Sequence, residues 1–374
     1  MSGDQRLTCP DQNEFEFSLF GPRYGESAVI HYGSGHWMIV DSCLADSGQP
    51  AALEYLSSIN VDFEKNVRAV CCTHFDEDHI RGLAEILRQC PESKFIVSQA
   101  LQKKEFQEVL RLGKGLNNSR RTGLRELRSC IEIVKTRPAP FNALMPAIAN
   151  KRVFTEWVDD KNKSSPPLVA VDALAPSEMQ VEKCLQQLAA ADDDPVKLAS
   201  EFKRNDLSTV LLIATPEVSV LHGGDLESNT TIGTGWEALL DDPNRGATRS
   251  PFYKIAHHGS HSGDHDRIWT DLLDPTAISA LAPFRKGRHR IPTADDVKRM
   301  TGKRRDIFST SQNSRKRKRA TDQTVRTTLR ESEVKLYDAA GQPGQVRIRC
   351  SPGKAPKVDL FGDACRIQNI NCDY

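Results

Sequence analysis

The chain has 374 residues, 38% of them hydrophobic, with 51 Lys+Arg against 50 Asp+Glu and a formal net charge of +1. This length suggests one large domain or two ordinary ones, and the near-neutral total argues against a dedicated nucleic-acid scaffold. Nothing approaches the roughly 18–20 apolar residues of a membrane span, and the start Met-Ser-Gly-Asp lacks the basic-then-apolar pattern of a secretory signal, so a cytoplasmic protein with no membrane partner is expected.

The first hundred residues alternate strand and helix signals. Ser27-Ala-Val-Ile-His-Tyr32 and His36-Trp-Met-Ile-Val-Asp41 flank a Gly-Ser-Gly turn and predict a hairpin ending on an aspartate. Helical spacing follows at 50–59, an apolar strand at 68–73, a helix at 79–89 and a strand at 94–98. From 101 to 165 the chain turns basic and helical, then polar, which reads as an insertion or cap. The layered pattern returns with strands at 168–172, 208–214, 218–222, 253–256 and 277–281, and helices at 178–190, 235–240 and 267–273. The ten cysteines are scattered without a Cys-x-x-Cys pair and read as small buried apolar residues. Residues 285–319 carry fourteen Lys/Arg against three Asp, a local charge of +11 that leaves −10 for the remainder. The expected organisation is an α/β domain over 1–310, followed by a basic loop and C-terminal extension over 311–374.

Three strand ends carry the chemistry. Thr73-His-Phe-Asp-Glu-Asp-His79 places four metal-capable side chains, His74, Asp76, Asp78 and His79, in one loop between a buried strand and a helix. Leu221-His-Gly-Gly-Asp-Leu226 presents Asp225 behind two glycines, which let backbone approach closely. His257-His-Gly-Ser-His261 follows another short apolar strand. Mixed imidazole and carboxylate donors suit Zn²⁺, Mn²⁺, Fe²⁺ or Mg²⁺. Six or seven such ligands exceed one tetrahedral site and imply two divalent metals, which would activate a water and stabilise both oxygens of a displacement.

This set resembles the metallo-β-lactamase fold superfamily, whose hallmark is His-x-His-x-Asp-His, then Gly-Asp, then a late His. Asp76 stands where the second histidine is usual. The combination of His-x-Asp-x-Asp-His with His-His-Gly-Ser is similar to the soluble hydrolase domain of ComEC-type competence proteins. The segments Gly21-Pro-Arg-Tyr-Gly-Glu-Ser27, Trp37–Ser42, Leu174–Ser177 and Asn205–Val210 follow in matching order. The resemblance implies a four-layer αββα sandwich with the site at one edge. It implies that His74 and Asp76 hold one metal, Zn or Mn, and that Asp78, His79 and one of His257 and His258 hold the other, with Asp225 bridging. His258 is the favoured ligand, leaving His257 to serve the leaving group, with Asp78 orienting the hydroxide and Asp41 orienting a ligand from behind.

The superfamily's middle histidine has no clear counterpart, with Asn205, Ser208 or His222 as stand-ins. An Arg at position 81, where the superfamily has Gly, is expected to face substrate. Arg315, Lys316, Arg317, Lys318 and Arg319 are expected to grip phosphates, within a basic region 285–319 that could dock nucleic acid. The expected function is therefore a metal-dependent phosphodiesterase or nuclease. A lactone, thioester or other ester hydrolase of the same fold is the alternative, and a metal-free subunit docking nucleic acid or a partner protein is the rival from outside enzymology.

Overall fold

The computed structural model describes residues 8–21, 24–112, 122–158, 165–189, 203–246, 249–286, 289–312, 323–331, 344–370 and 372. Arg315, Lys316, Arg317, Lys318 and Arg319 lie outside them. The strands in chain order begin with β1 (Phe15–Gly21), β2 (Ser27–His31), β3 (Trp37–Val40), β4 (Val67–Cys72), β5 (Lys94–Ser98) and β6 (Leu144–Ala147). Next come β7 (Lys151–Glu156), β8 (Val169–Ala175), β9 (Val210–Ala214), β10 (Ser219–His222), β11 (Ser250–Lys254) and β12 (Leu273–Leu281). A small hairpin, β13 (Phe284–Lys286) and β14 (His289–Ile291), precedes β15 (Ile307–Ser309), β16 (Gly344–Cys350), β17 (Lys357–Phe361) and β18 (Cys365–Arg366).

Two eight-stranded sheets result, ordered β17-β16-β1-β2-β3-β4-β5-β6 and β18-β15-β12-β11-β10-β9-β8-β7. The pleat sorts their residues into layers. In β4, Ala69 and Cys71 face the second sheet, where they meet Val171, Ile213, Val220 and Phe252. Val70 and Cys72 face outward onto Leu83, Leu87, Leu127 and Ile131 of the helices covering the first sheet. Leu221, Tyr253 and Leu281 likewise face Trp236, Trp269 and Met300 on the outside of the second. Three apolar interfaces between four layers make the αββα sandwich. The central strands read as unbroken apolar runs because they are buried on both faces. All ten cysteines are free. Among the described residues no helix is long and apolar enough to cross a membrane.

The structure departs from expectation in three places. Residues 101–165 do more than cap the sheet, since they supply β6 and β7, an edge strand to each sheet, and helices Lys104–Leu112 and Thr122–Lys135. Residues after 310 are not a detached extension, because β16 pairs with β1 along its whole length and β18 pairs with β15. Val346 and Ile348 of β16 fill the core between the sheets, while Arg347 between them stacks on Phe361 and pairs with Asp359. The predicted 79–89 helix is split into Glu77–Ile80 and Leu83–Gln89 by Gly82 at φ 90°. Much of the described basic charge is also consumed internally. Arg299 and Lys303 both pair with Asp264, at 2.7 Å each, and pin the helix Ala294–Lys303 to that loop.

His31, inside β2, carries a pH signature. Its Nδ1–H donates to the Glu14 carbonyl at 2.7 Å, and its Nε2 accepts from the Gly35 amide at 3.1 Å, so the ring must be neutral. Burial lowers its pKa to about 4 from an ordinary 6.5. The unfolded chain therefore takes up the proton first. Stability from His31 is complete above pH 6.5 and lost as pH falls through 4, about 3 kcal/mol in all. His31→Gln should lose less stability than the parent between pH 7 and pH 4.5 when urea midpoints are compared, and an equal loss in both proteins would refute the assignment.

Candidate metal centre

The catalytic candidates gather at the C-terminal ends of β3, β4, β10, β11 and β12, which pair in parallel within each sheet. Strand ends of this kind aim their loops toward one crevice. Gly224 sits at φ 52°, and a Cβ there would stand 2.5 Å from Ser208 Oγ and 2.8 Å from the Thr209 carbonyl. Only glycine allows this approach, and it lets Ser208 Oγ accept from the Asp225 amide at 2.7 Å. His257 (φ 45°) and His258 (φ 54°) are consecutive left-handed residues, a strained turn that sends the two rings in different directions. The turn is tied to the first loop because the His257 amide donates to the Gly224 carbonyl at 3.1 Å.

Four donors converge. His79 Nε2 lies 3.2 Å from Asp225 Oδ2 and 3.8 Å from Asp78 Oδ2. His258 Nε2 lies 3.2 Å from Asp78 Oδ2 and 3.3 Å from Asp225 Oδ2. A tetrahedron with metal–ligand bonds of 2.0–2.1 Å has edges of about 3.3–3.4 Å, so these separations are those of ligands around one divalent ion. Each imidazole is also set in the right tautomer. His79 Nδ1–H donates to Asp41 Oδ2 at 2.8 Å, and His258 Nδ1–H donates to the Ala282 carbonyl at 2.8 Å. Both Nε2 lone pairs are thereby turned inward, the arrangement that metal-binding histidines use. His79 Nε2 is buried and makes no hydrogen bond. The donor set fits a divalent metal, with two carboxylate charges matching the ion's two.

Glu26 was not foreseen. With His79, Asp225 and His258 it offers donor atoms all within 4.8 Å of one another. Its oxygens nevertheless lie behind the rings, 3.6 Å from His79 Nδ1 and 3.4 Å from His258 Nδ1, so it supports the ligands rather than joining them. Lys254, fully buried on β11, pairs with Glu26 and donates to the Gly224 carbonyl at 2.9 Å, with Asp225 Oδ1 at 3.4 Å. Asp225 thus has Oδ2 as the oxygen free for sharing. Burial opposes charge on His79 and His258, yet Asp225 outweighs it and raises both pKa values well above the ordinary histidine value. Metal loading must therefore displace protons.

The other expected residues are placed as follows. His74 Nε2 lies 3.5 Å from Asp76 Oδ2, beside the four-donor centre, with the His74 and His79 ring centroids 4.2 Å apart. Asp41 accepts from the Thr73 amide at 2.7 Å and the Thr73 hydroxyl at 2.6 Å as well as from His79. His257 stands outside the cluster and lines the cleft, its Nδ1 2.9 Å from Glu227 Oε1. Asn205 Nδ2 lies 3.3 Å from His257 Nε2, Ser208 is spent on Asp225, and His222 Nδ1 accepts from the Gly224 amide at 3.3 Å. Arg81 is exposed and lines a smaller pocket with Cys43 and Asp46, which adjoins the main cleft through Tyr24 and Glu77.

The cleft over the centre holds about 770 Å³ and is lined by Asp78, Asp225, His257 and His258 together with Arg204, Lys286 and Phe284. Arg204, Glu227, Glu26 and Lys254 are the functional candidates that spacing missed. The available signal for Lys254 was a lysine in the otherwise apolar strand end Phe252-Tyr-Lys-Ile-Ala256.

Residues 20–111 match the family model described as the metallo-beta-lactamase superfamily. Members of that superfamily are generally metal-dependent hydrolases. A metallo-β-lactamase motif mutant from Cronobacter sakazakii is similar at 14% identity and TM-score 0.30, covering 57% of this chain and 63% of its own, so the chain spans under two thirds of that protein. A second metallo-β-lactamase from Cronobacter sakazakii is 15% identical at TM-score 0.35, with 72% of this chain and 88% of that one covered. MEM-A1, a subclass B3 metallo-β-lactamase from a soil metagenome library, is 12% identical at TM-score 0.30, with 61% and 68% covered. No curated protein matches the chain.

Asp41 gives a direct test of the centre's geometry. Asp41→Asn should weaken the ion at the centre about 10–100-fold while leaving the fold intact, because the orientation of His79 depends on it. Metal titration into the stripped variant measures this, and parental affinity would remove Asp41 from the site.

Proposed function

We propose that this protein is a metal-dependent phosphodiesterase acting on nucleic-acid backbones. The observation that carries the hydrolytic reading is the near-tetrahedral spacing of Asp78, His79, Asp225 and His258 at the floor of an open cleft. A divalent ion held there supplies Lewis acidity and a water of lowered pKa. The chain's own groups do the rest. Asp78 sits at the edge of the cleft, where its carboxylate can orient an attacking water. Glu227 holds the His257 Nδ1–H, and Nε2, which accepts from Asn205 Nδ2 at 3.3 Å, gives up that bond to take up a proton and return it to a leaving oxygen. Ser260 and Ser262 hydroxyls, 2.9 and 3.1 Å from Nδ1, fix the same ring.

The phosphodiester preference is supported by the cations that line the cleft. Arg204 lies on its wall, and Lys286 stands at its mouth on the β13–β14 hairpin, which also carries Arg285 and Arg290. Phe284 of the hairpin packs on the His258 ring, with centroids 5.3 Å apart, so the basic hairpin is anchored to the centre. The similarity of His-x-Asp-x-Asp-His and His-His-Gly-Ser to ComEC-type hydrolase domains favours the same substrate class.

The deciding experiment loads metal-stripped protein with Mn²⁺ or Zn²⁺. It compares bis(p-nitrophenyl) phosphate and DNA with p-nitrophenyl acetate and a simple lactone. Phosphodiester cleavage that chelation abolishes is the expected result. Turnover of the acetate or lactone alone would make the protein an ester hydrolase. Absence of bound metal would favour a docking subunit.

A further inference from the structure

The position beside the four-donor centre is built differently. His74 is fully buried, and its Nε2 has no hydrogen-bond partner. The Thr73 hydroxyl gives its proton to Asp41, so it can only accept from His74 Nδ1–H at 3.1 Å. His74 Nε2 therefore carries a bare lone pair 3.5 Å from Asp76 Oδ2, and Asp76 lines the cleft. A buried acceptor without a donor is costly unless something fills the place, and an imidazole and a carboxylate together suit a cation.

The carboxylate is already engaged. Arg204 Nη1 donates to Asp76 Oδ1 at 2.5 Å, and the guanidinium rests over the Phe75 ring, 5.2 Å from its centroid. The balance of charge separates the two positions. At the four-donor centre Glu26 answers Lys254, and Asp78 and Asp225 remain for an ion. Beside it, the one carboxylate of Asp76 is answered by Arg204.

We propose that Arg204 gates a second cation position at His74 and Asp76. While the guanidinium holds Asp76, a divalent ion binds there weakly. An anionic group entering the cleft draws Arg204 to itself, since guanidinium matches phosphate oxygens as well as it matches a carboxylate. Asp76 is then free for the ion, and the position fills only with substrate present. The gate rests on the metal-dependent reading of this cleft and names the residue that couples substrate charge to metal occupancy. Arg204 acts through Asp76 and is in that respect a positioning residue.

The test titrates Mn²⁺ alone into the stripped full-length chain. The parent should take one ion tightly and a second at least about tenfold more weakly. Arg204→Ala should tighten the second ion about tenfold and leave the first unchanged. Arg204→Gln, neutral but close in length, should do the same and covers the case in which the alanine variant misfolds. Arg204→Lys, which keeps the charge, should stay near the parent. Inorganic phosphate, as the probe anion, should tighten the second ion more in the parent than in the neutral variants. Two equal ions in the parent, an unchanged second ion in both neutral variants, or the same phosphate effect in all proteins would overturn the gate. Absence of a tight first ion in every protein would overturn the metal-dependent reading itself, and the gate with it.

Discussion

Asp78→Ala should stay folded, lose the tightly held ion and hydrolyse its phosphodiester at least about 10³-fold more slowly, because metal assistance supplies several kcal/mol to the transition state. The side chain does one job. Its carboxylate faces His258 Nε2 at 3.2 Å and the cleft. Burial raises its pKa, but the histidine partners outweigh burial and hold it below the ordinary carboxylate range, so it is ionised near neutrality. The structural role of this position lies in its backbone, whose carbonyl accepts from the Glu26 amide at 2.9 Å and survives the substitution. Truncation also removes the carboxylate that the histidines stabilise, so the stripped variant should melt lower than the stripped parent while still unfolding cooperatively. Metal content, turnover and thermal melting measured on one preparation separate the outcomes. A folded variant that keeps its ion and stays within about tenfold of parental turnover would show that the hydrolytic centre lies elsewhere.

Lys254→Met should be the most destabilising single change at the site, by about 3–5 kcal/mol in the metal-free protein, because removing one member of a buried ion pair strands the other. Lys254 is fully buried, and its ammonium answers Glu26 and approaches Asp225. Burial raises the Glu26 carboxyl, but Lys254, His79 and His258 outweigh it and lower its pKa from 4.5 to about 2. That contribution to stability is present above pH 4.5 and lost as pH falls through 2. In Lys254→Met the Glu26 carboxyl should titrate much higher, so part of the deficit should vanish on acidification. Adding Glu26→Gln should restore stability relative to the single variant, since the pair is then removed as a unit. Urea titrations of the parent, both single variants and the double variant provide the cycle. A double variant whose loss equals the sum of the single losses would mean that the two groups do not interact.

These two residues mark where sequence reading stops. His74, Asp76, Asp78 and His79 were legible because they fall within six positions of one loop, and local spacing alone brings them together. Asp225 and His258 were legible because each ends a short apolar strand, and strand ends of an α/β sandwich meet at one crevice. Asp41 was legible for the same reason. The layer order followed from the alternation of apolar runs with helical periodicity in the central strands. The edge strands β6, β7, β17 and β18 were not, since an edge strand buries less and keeps polar residues that read as loop, whereas the interior strand β16 was legible in Gln345-Val-Arg-Ile-Arg349.

Glu26, Lys254, Arg204 and Glu227 belong to the tertiary structure alone. Each is a common charged residue with no spacing signature, and each acquires its role from a partner far along the chain: Lys254 for Glu26, Asp76 for Arg204, His257 for Glu227. Sequence by itself determined the metal-capable residue types and the fold class, because both depend on local pattern. The tertiary structure decided which carboxylates face the four-donor centre, which face a buried cation and which are already neutralised, because charge balance in a buried site depends on distances that only packing sets.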